Sequence, residues 1–136
     1  MPRPDTLKPG QTLAPYLVES VSPEPMKTMA AILDDPNPIH FDVASVRALG
    51  LGERPINQGP SNLGYLMEML VELAGSAERV RRVRVRFLGN VFAGERVECS
   101  GIVVSVDAGE GLAQLEVQAS ADGRPVLAGT AVIALG

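Results

Sequence analysis

Hydrophobic spacing changes period along this chain, and the changes mark its elements. Pro2, Pro4, Pro9 and Pro15 keep the first segment extended, and a strand is expected near Leu13–Val21. Ser22-Pro23-Glu24 then reads as a helix start, with Ser at the N-cap, Pro at the first helical position and an acid in the first turn. Met26, Met29, Ala30 and Leu33 follow at i, i+3, i+4 and i+7, one apolar helical face. Pro36 and Pro38 are expected to stop that helix, and Asp42 to cap a short one ending at Gly50. A longer helix is predicted from Gly59 to about Gly75, with Pro60 in its first turn and Leu63, Leu66, Met67, Leu70, Leu73 and Ala74 on a wide apolar face. It would span roughly 25 Å.

After Ala77 the period becomes two. Val83, Val85 and Phe87 alternate with Arg82, Arg84 and Arg86, a strand with one wet face. Val97–Val106 is a second strand, followed by a Gly-rich turn at Asp107–Gly111. Leu115, Val117 and Ala119 alternate with Gln114, Glu116 and Gln118, and Asp122-Gly123 is a strong hairpin signal before a last strand, Pro125–Leu135. The order is strand, helical segments, long helix, then an antiparallel meander of four strands. Strands of ~33 Å can curve around a helix of ~25 Å, which gives an α+β fold with a sheet wrapped on one central helix.

Composition narrows the picture. At 136 residues, 46% hydrophobic and 21% charged, the sequence suits one globular domain over residues 1–136. The lone Cys99 excludes an intrachain disulfide framework and points to a reducing, cytoplasmic setting. One His and one Cys are too few ligands for the usual zinc sites, so no metal or cofactor is expected. The start of the chain lacks the apolar stretch of a signal peptide, and Glu68 and Glu72 cut the most apolar helix, so no membrane span is expected. A net charge of −4 gives no electrostatic reason for a nucleic-acid partner. Small molecules, another protein or copies of the chain itself remain.

The densest polar cluster is Asp34-Asp35-Pro36-Asn37-Pro38-Ile39-His40-Phe41-Asp42, which holds the only His. Imidazole titrates near neutrality and can exchange a proton at working pH. On a helix, Asp35 and His40 would stand about 140° apart, but two prolines forbid that helix and a loop can bring them together. Asp-Pro-Asn-Pro is also ordinary turn chemistry, and spacing alone does not choose between the two readings. At Gly59-Pro60 the first N–H groups of the long helix are unpaired at its positive end, and Pro60 has none to offer. That makes the Gly59 N–H a candidate anion donor, beside the simpler reading of an ordinary helix start.

Asp35-x-Asn37-Pro38-Ile39-His40-x-Asp42 resembles the hydratase signature of MaoC-like proteins, the (R)-specific enoyl-CoA hydratases of the hot-dog superfamily. Glu53-Arg54-Pro55-Ile56-x-x-Gly59 is similar to the segment leading into that family's central helix. Phe87-x-x-x-Val91-x-x-Gly94-Glu95-x-Val97 is similar to its strand-turn-strand motif, and Gly129-x-Ala131-x-Ile133 agrees in kind. The resemblance implies a hot-dog fold and syn addition of water to a trans-2-enoyl-CoA or acyl-carrier thioester, giving an (R)-3-hydroxyacyl thioester. It implies His40 as general base towards a water that Asp35 orients, Asp35 as the route of a proton to the α-carbon, the Gly59 N–H as oxyanion donor, and Asn37 as a loop-positioning residue. It also implies a homodimer, or a heteromer with another hot-dog subunit.

Some positions depart from the family pattern. Asp34 stands where Gly is common, Gln58 where a His often precedes the helix Gly, and Met67 where some members use a Ser; Ser61 is nearby but out of register. These departures keep open a non-catalytic or co-catalytic subunit of a heteromeric hydratase. A hot-dog thioesterase, with Glu68 as its helix carboxylate, is the third reading. Arg79, Arg81, Arg82, Arg84 and Arg86 form either a solvated strand face or a contact for coenzyme A phosphates. Ser61 and Gly64, both small, leave room near the helix start.

Overall fold

Alternation governs the C-terminal half as the sequence predicts. The computed structural model describes residues 4–35 and 37–136. In chain order its main elements are β1 (Tyr16–Val18), α1 (Glu24–Ile32), α2 (Val43–Ala48), α3 (Gly59–Ala74), β2 (Val80–Phe87), β3 (Val97–Asp107), β4 (Leu112–Ala121) and β5 (Arg124–Ala134). In β4, Ala113, Leu115, Val117, Ala119 and Ala121 are buried, while Gln114, Glu116 and Gln118 face out. The β4–β5 turn has φ 46° at Asp122 and 84° at Gly123, the two left-handed residues that a two-residue hairpin wants.

The five strands form one antiparallel sheet in the order β1-β3-β4-β5-β2. This corrects the four-strand meander: β2 pairs with β5 at the far edge, not with β3, its neighbour in sequence. Alternation says which side chains share a face but not which strand lies alongside. The N-terminal strand is also shorter than expected. Only Tyr16–Val18 pairs regularly with β3, after a looser approach in which Leu13 N–H donates to Gly101 O at 2.9 Å. Pro15, without an N–H, interrupts the ladder between them.

α3 runs across the sheet and is bounded as predicted, by Gly59-Pro60 at one end and by left-handed Gly75 (φ 91°) at the other. Leu66, Met69, Leu70, Leu73 and Ala74 are buried against Cys99, Val103, Leu115, Leu127, Ala131 and Ile133 of the strands. Leu63 and Met67, expected in the same face, are half-buried at its margin. Each fully buried side chain of this kind contributes about 1.5–3 kcal/mol. Burial pushes the Cys99 thiol up to about 12, with a smaller push from Glu98. α1 is a shallower element: Met26 is its one buried residue, and Leu33, expected on the inner face, is exposed. Ser22 Oγ accepts the Glu24 N–H at 3.3 Å, so the serine does serve the helix start, with Pro23 between.

Gly129 stands where three strands are close. Together with Val85, Val117 and Gly101 it forms one register row across β2, β5, β4 and β3. A Cβ on Gly129 would fall on the backbone carbonyl of Arg84, so no side chain fits there.

The segment leading into α3 is fastened to the turn before β3. Ala93 N–H donates to Pro55 O at 2.9 Å and Asn57 N–H to Val91 O at 2.8 Å. That turn is in turn held by Glu95, which is 1% exposed. Its carboxylate takes Arg124 Nη1 at 2.6 Å, Arg124 Nη2 at 2.9 Å and the Phe92 N–H at 2.7 Å. The Arg54 and Arg124 guanidinium groups lie 5.6 and 5.9 Å from the Phe92 ring centre, a further cation–π contribution. The bond from Arg124 holds the Glu95 carboxyl below its ordinary value of 4.5, against the opposing effect of burial. A lowered folded-state value means that this stabilisation is present above the unfolded value and fades as pH falls through the folded one. Glu95→Gln is therefore expected to cost about 1.5–3 kcal/mol in urea unfolding at pH 7. The gap between wild type and variant should stay constant above pH 5.5 and narrow steadily below pH 4.5.

Candidate active site

The loop between α1 and α2 is shaped by caps at each step. Leu33 closes α1, and Asp34 follows in the left-handed region at φ 50°. Asp34 N–H returns to Ala31 O at 3.3 Å and Asp35 N–H to Ala30 O at 2.9 Å. This pair of bonds is the Schellman closure, whose left-handed position favours Gly but tolerates a short polar side chain. The helix thus ends ahead of the prolines expected to stop it. Pro38 instead opens a 3-10 turn, Pro38–His40, and Pro36 lies outside the described residues.

Asp35 is the first residue clear of that closure. Its Oδ1 accepts the Asn37 N–H at 3.1 Å, and Asn37 Oδ1 accepts the Ile39 N–H at 3.3 Å, capping the 3-10 turn. Asp42 then caps α2 as predicted, taking the Ala44 N–H at 3.1 Å and the Ser45 hydroxyl at 2.7 Å.

His40 is buried, 7% exposed. Its Nδ1–H donates to Ile56 O at 2.6 Å, and the Ile56 N–H returns to Ile39 O at 2.9 Å. A carbonyl only accepts, so the proton sits on Nδ1 and the neutral ring presents a lone pair at Nε2. That Nε2 is 3.2 Å from Asp35 Oδ2. Asp35 and His40, held off a common helix by the closure at Asp34, therefore do meet. In the neutral-imidazole, ionised-carboxylate state they meet as two acceptors, which a proton shared between them or a donor seated alongside both satisfies.

Three residues beyond Ile56 lies Gly59. Pro60 has no N–H, and the Ser61 and Asn62 N–H groups both go to Gln58 O at 3.1 Å. The Gly59 N–H alone is left without an acceptor among the described residues, at the positive end of a sixteen-residue helix. A Cβ at Gly59 would stand 3.1 Å from the Phe87 ring, so β2 ends against this point. Phe87 and Leu88 are more than half exposed there, although the alternation placed Phe87 on the inner row.

Two side chains hold this segment, Gln58, noted in the sequence only as a departure from the family pattern, and Asn57, which the sequence reading passes over. Buried Asn57 donates to Asn62 Oδ1 at 2.8 Å and to the Tyr65 hydroxyl at 3.2 Å. Gln58 donates through Nε2 to Met26 O at 2.7 Å. Polar residues just ahead of a helix were the only available signal, and nothing in them names a backbone partner.

The rival features lie elsewhere. Glu68 and Glu72 are exposed on α3 beside Tyr16, whose phenol is pushed up by burial first and then by their charges. No hydrogen bond or ion pair joins Glu68 to Asp35, His40 or Gly59 among the described residues. Met67 is half-buried and packs on the core. Arg79 caps α3 through Ala74 O at 3.3 Å. Arg84 and Arg86 line an open groove of about 770 Å³ on the outer sheet face, away from the loop, with Ser100, Ile102, Glu116 and Gln118. No helix among the described residues is long and apolar enough to cross a membrane, and no group of three His, Cys, Asp or Glu gathers there as a metal set.

The cap at Asp34 is directly testable. Asp34→Gly is expected to hold or raise stability, by up to about 1 kcal/mol, because Gly enters the left-handed region freely. Asp34→Val should lose about 1–2 kcal/mol, since a β-branched residue is strained there. Urea unfolding of the three proteins checks both.

The fold recurs in solved structures. An (R)-hydratase from A. caviae involved in PHA biosynthesis superposes with a TM-score of 0.84 at 23% identity, over 96% of this chain and 98% of that one. The R-hydratase PhaJ1 from Pseudomonas aeruginosa gives 0.82 at 19% identity, over 97% and 84%. The ChsH1–ChsH2 complex from Mycobacterium tuberculosis gives 0.81 at 17%, over 96% and 100%. No curated protein matches the chain significantly. At these identities the likeness establishes a shared hot-dog fold. The MaoC like domain family model matches residues 6–123, most of the chain's length, and the chain therefore belongs to that family.

Proposed function

We propose that this chain hydrates trans-2-enoyl thioesters to (R)-3-hydroxyacyl thioesters, and the reverse. The observation that carries the reading is the fixed tautomer of His40. With Nδ1 committed to Ile56 O, the basic Nε2 faces Asp35 Oδ2 at 3.2 Å. A basic nitrogen and a carboxylate oxygen this close can both act on one water seated beside them, the nitrogen drawing its proton and the carboxylate orienting it. Membership of the MaoC-like family, and the activity named for the A. caviae and P. aeruginosa neighbours, support the choice of substrate class.

In the proposed reaction the water oxygen attacks the β-carbon of the enoyl group while His40 Nε2 takes one of its protons. The electron pair of the double bond shifts towards the thioester, and negative charge gathers on its oxygen. The Gly59 N–H is the donor placed for that charge, and one such bond is worth about 2.7–4 kcal/mol. The proton passes to Asp35 and from there to the α-carbon on the same face. One water has then been added across the double bond, and both side chains are restored. Asn37 keeps Asp35 in place and does no chemistry.

The surroundings fit an acyl substrate and a second subunit. Ile32, Leu33, Phe41, Leu49, Leu51, Phe87 and Leu88 are exposed large apolar side chains in the segments flanking the pair and the start of α3. Exposed apolar side chains in these segments suit an apolar partner. β2 also has an unpaired edge, which invites another strand. This favours a homodimer, or a heteromer such as ChsH1–ChsH2, in which the chain serves as catalytic or supporting subunit. The thioesterase reading, which needs Glu68, has no contact in its favour.

Steady-state hydration of crotonyl-CoA and longer enoyl-CoAs tests the reaction. Asp35→Asn and His40→Ala are each expected to lower kcat by about 10²–10⁴-fold with the fold intact. Full activity in both variants refutes the roles, and release of free thiol by wild type would restore the thioesterase reading. Light scattering at micromolar concentration should give at least twice the chain mass. A clean monomer counts against the assembly, and activity of the pure chain excludes a need for a different subunit.

A further inference from the structure

We infer that Gln58 is a positioning residue that sets the Gly59 N–H against the Asp35–His40 pair, an inference that rests on the hydratase reading. Gln58 occupies the N-cap of α3, where a side-chain oxygen normally accepts one of the first helical N–H groups. Its side chain makes no such bond. Nε2 instead reaches Met26 O at 2.7 Å, and Oε1 is buried without a hydrogen-bond partner among the described residues. At the start of α3 this side chain therefore serves a contact to α1 in place of a cap.

Two connections converge on it. Met26 is the one buried residue of α1, and the Schellman closure at the far end of α1 delivers Asp35. Gln58 therefore fastens the helix that carries Asp35 to the residue preceding Gly59. The Ile56 carbonyl, two residues earlier, fixes His40 independently. The Ile56 carbonyl ties His40 to the segment before Gly59, and Gln58 ties the same segment to the helix that carries Asp35, so Gln58 supplies the second of two bonds that set their relative placement.

The test is a kinetic and NMR comparison of wild type, Gln58→Met, Gln58→Asn and Gln58→His on crotonyl-CoA. Met matches the volume but donates nothing, Asn is too short to reach Met26 O, and His restores a ring N–H donor. Met and Asn are expected to lower kcat at least tenfold with KM within threefold, and His to recover most of the loss. The Gly59 amide signal should move in Met and Asn, while the imidazole signals of His40, the only His, stay in place. Unchanged kcat in folded Met and Asn variants overturns the inference, as does loss of stability with kcat per folded molecule preserved. Failure of both to fold assigns Gln58 to the fold and likewise overturns it. Inactive wild type would instead sink the hydratase reading, a result distinguishable from all of these.

Discussion

The bond from His40 Nδ1–H to the Ile56 carbonyl is the constraint on which the site depends. It is short, buried and reciprocated by the backbone bond from Ile56 to Ile39. The two bonds join the loop of Asp35 and His40 to the segment that opens α3, which bonds to Val91 and Ala93 anchor to the turn before β3. A carbonyl partner leaves the ring no choice of tautomer. One contact therefore sets where the imidazole lies, which nitrogen is basic, and how the loop sits relative to the helix start.

What was legible in the sequence is what side chains encode by themselves. Gly59-Pro60 and Gly75 mark both ends of α3, because each fills a backbone role that few residues fill as well. Asp122-Gly123 announces its hairpin, and Gln114, Glu116 and Gln118 announce the wet face of β4. Asp35, His40, Asn37 and Gly59 were named from motif and chemistry, and the structure brings Asp35, Asn37 and His40 into one hydrogen-bonded loop. The pairing of β2 with β5 was not legible, since any strand with one wet face offers the same ladder to any edge. Nor were the carbonyls of Ile56 and Met26 as partners of His40 and Gln58. Every residue has a carbonyl, and sequence does not say which one the fold will present. The prolines misled for a related reason: the left-handed backbone at Asp34, ahead of them, terminates α1.

The places where apolar periodicity failed to predict burial have a common location. Leu33 and Phe87 both belong to regular apolar patterns, and both end up exposed beside the loop or the start of α3. The core of a single chain is complete without them, through Met26, Leu66, Leu70 and the inner faces of β3, β4 and β5. Their apolar character is therefore not used by the chain's own core.

Cys99 carries a consequence of a different kind. A protein that handles acyl thioesters works among activated carbonyls that any thiolate would capture by transthioesterification. The sole sulfhydryl of this chain is fully enclosed, and its ionisation is deferred to about 12. At physiological pH almost none of it exists as the nucleophile. The same packing that makes Cys99 a small core residue thus withholds the chain's one thiol from activated carbonyls.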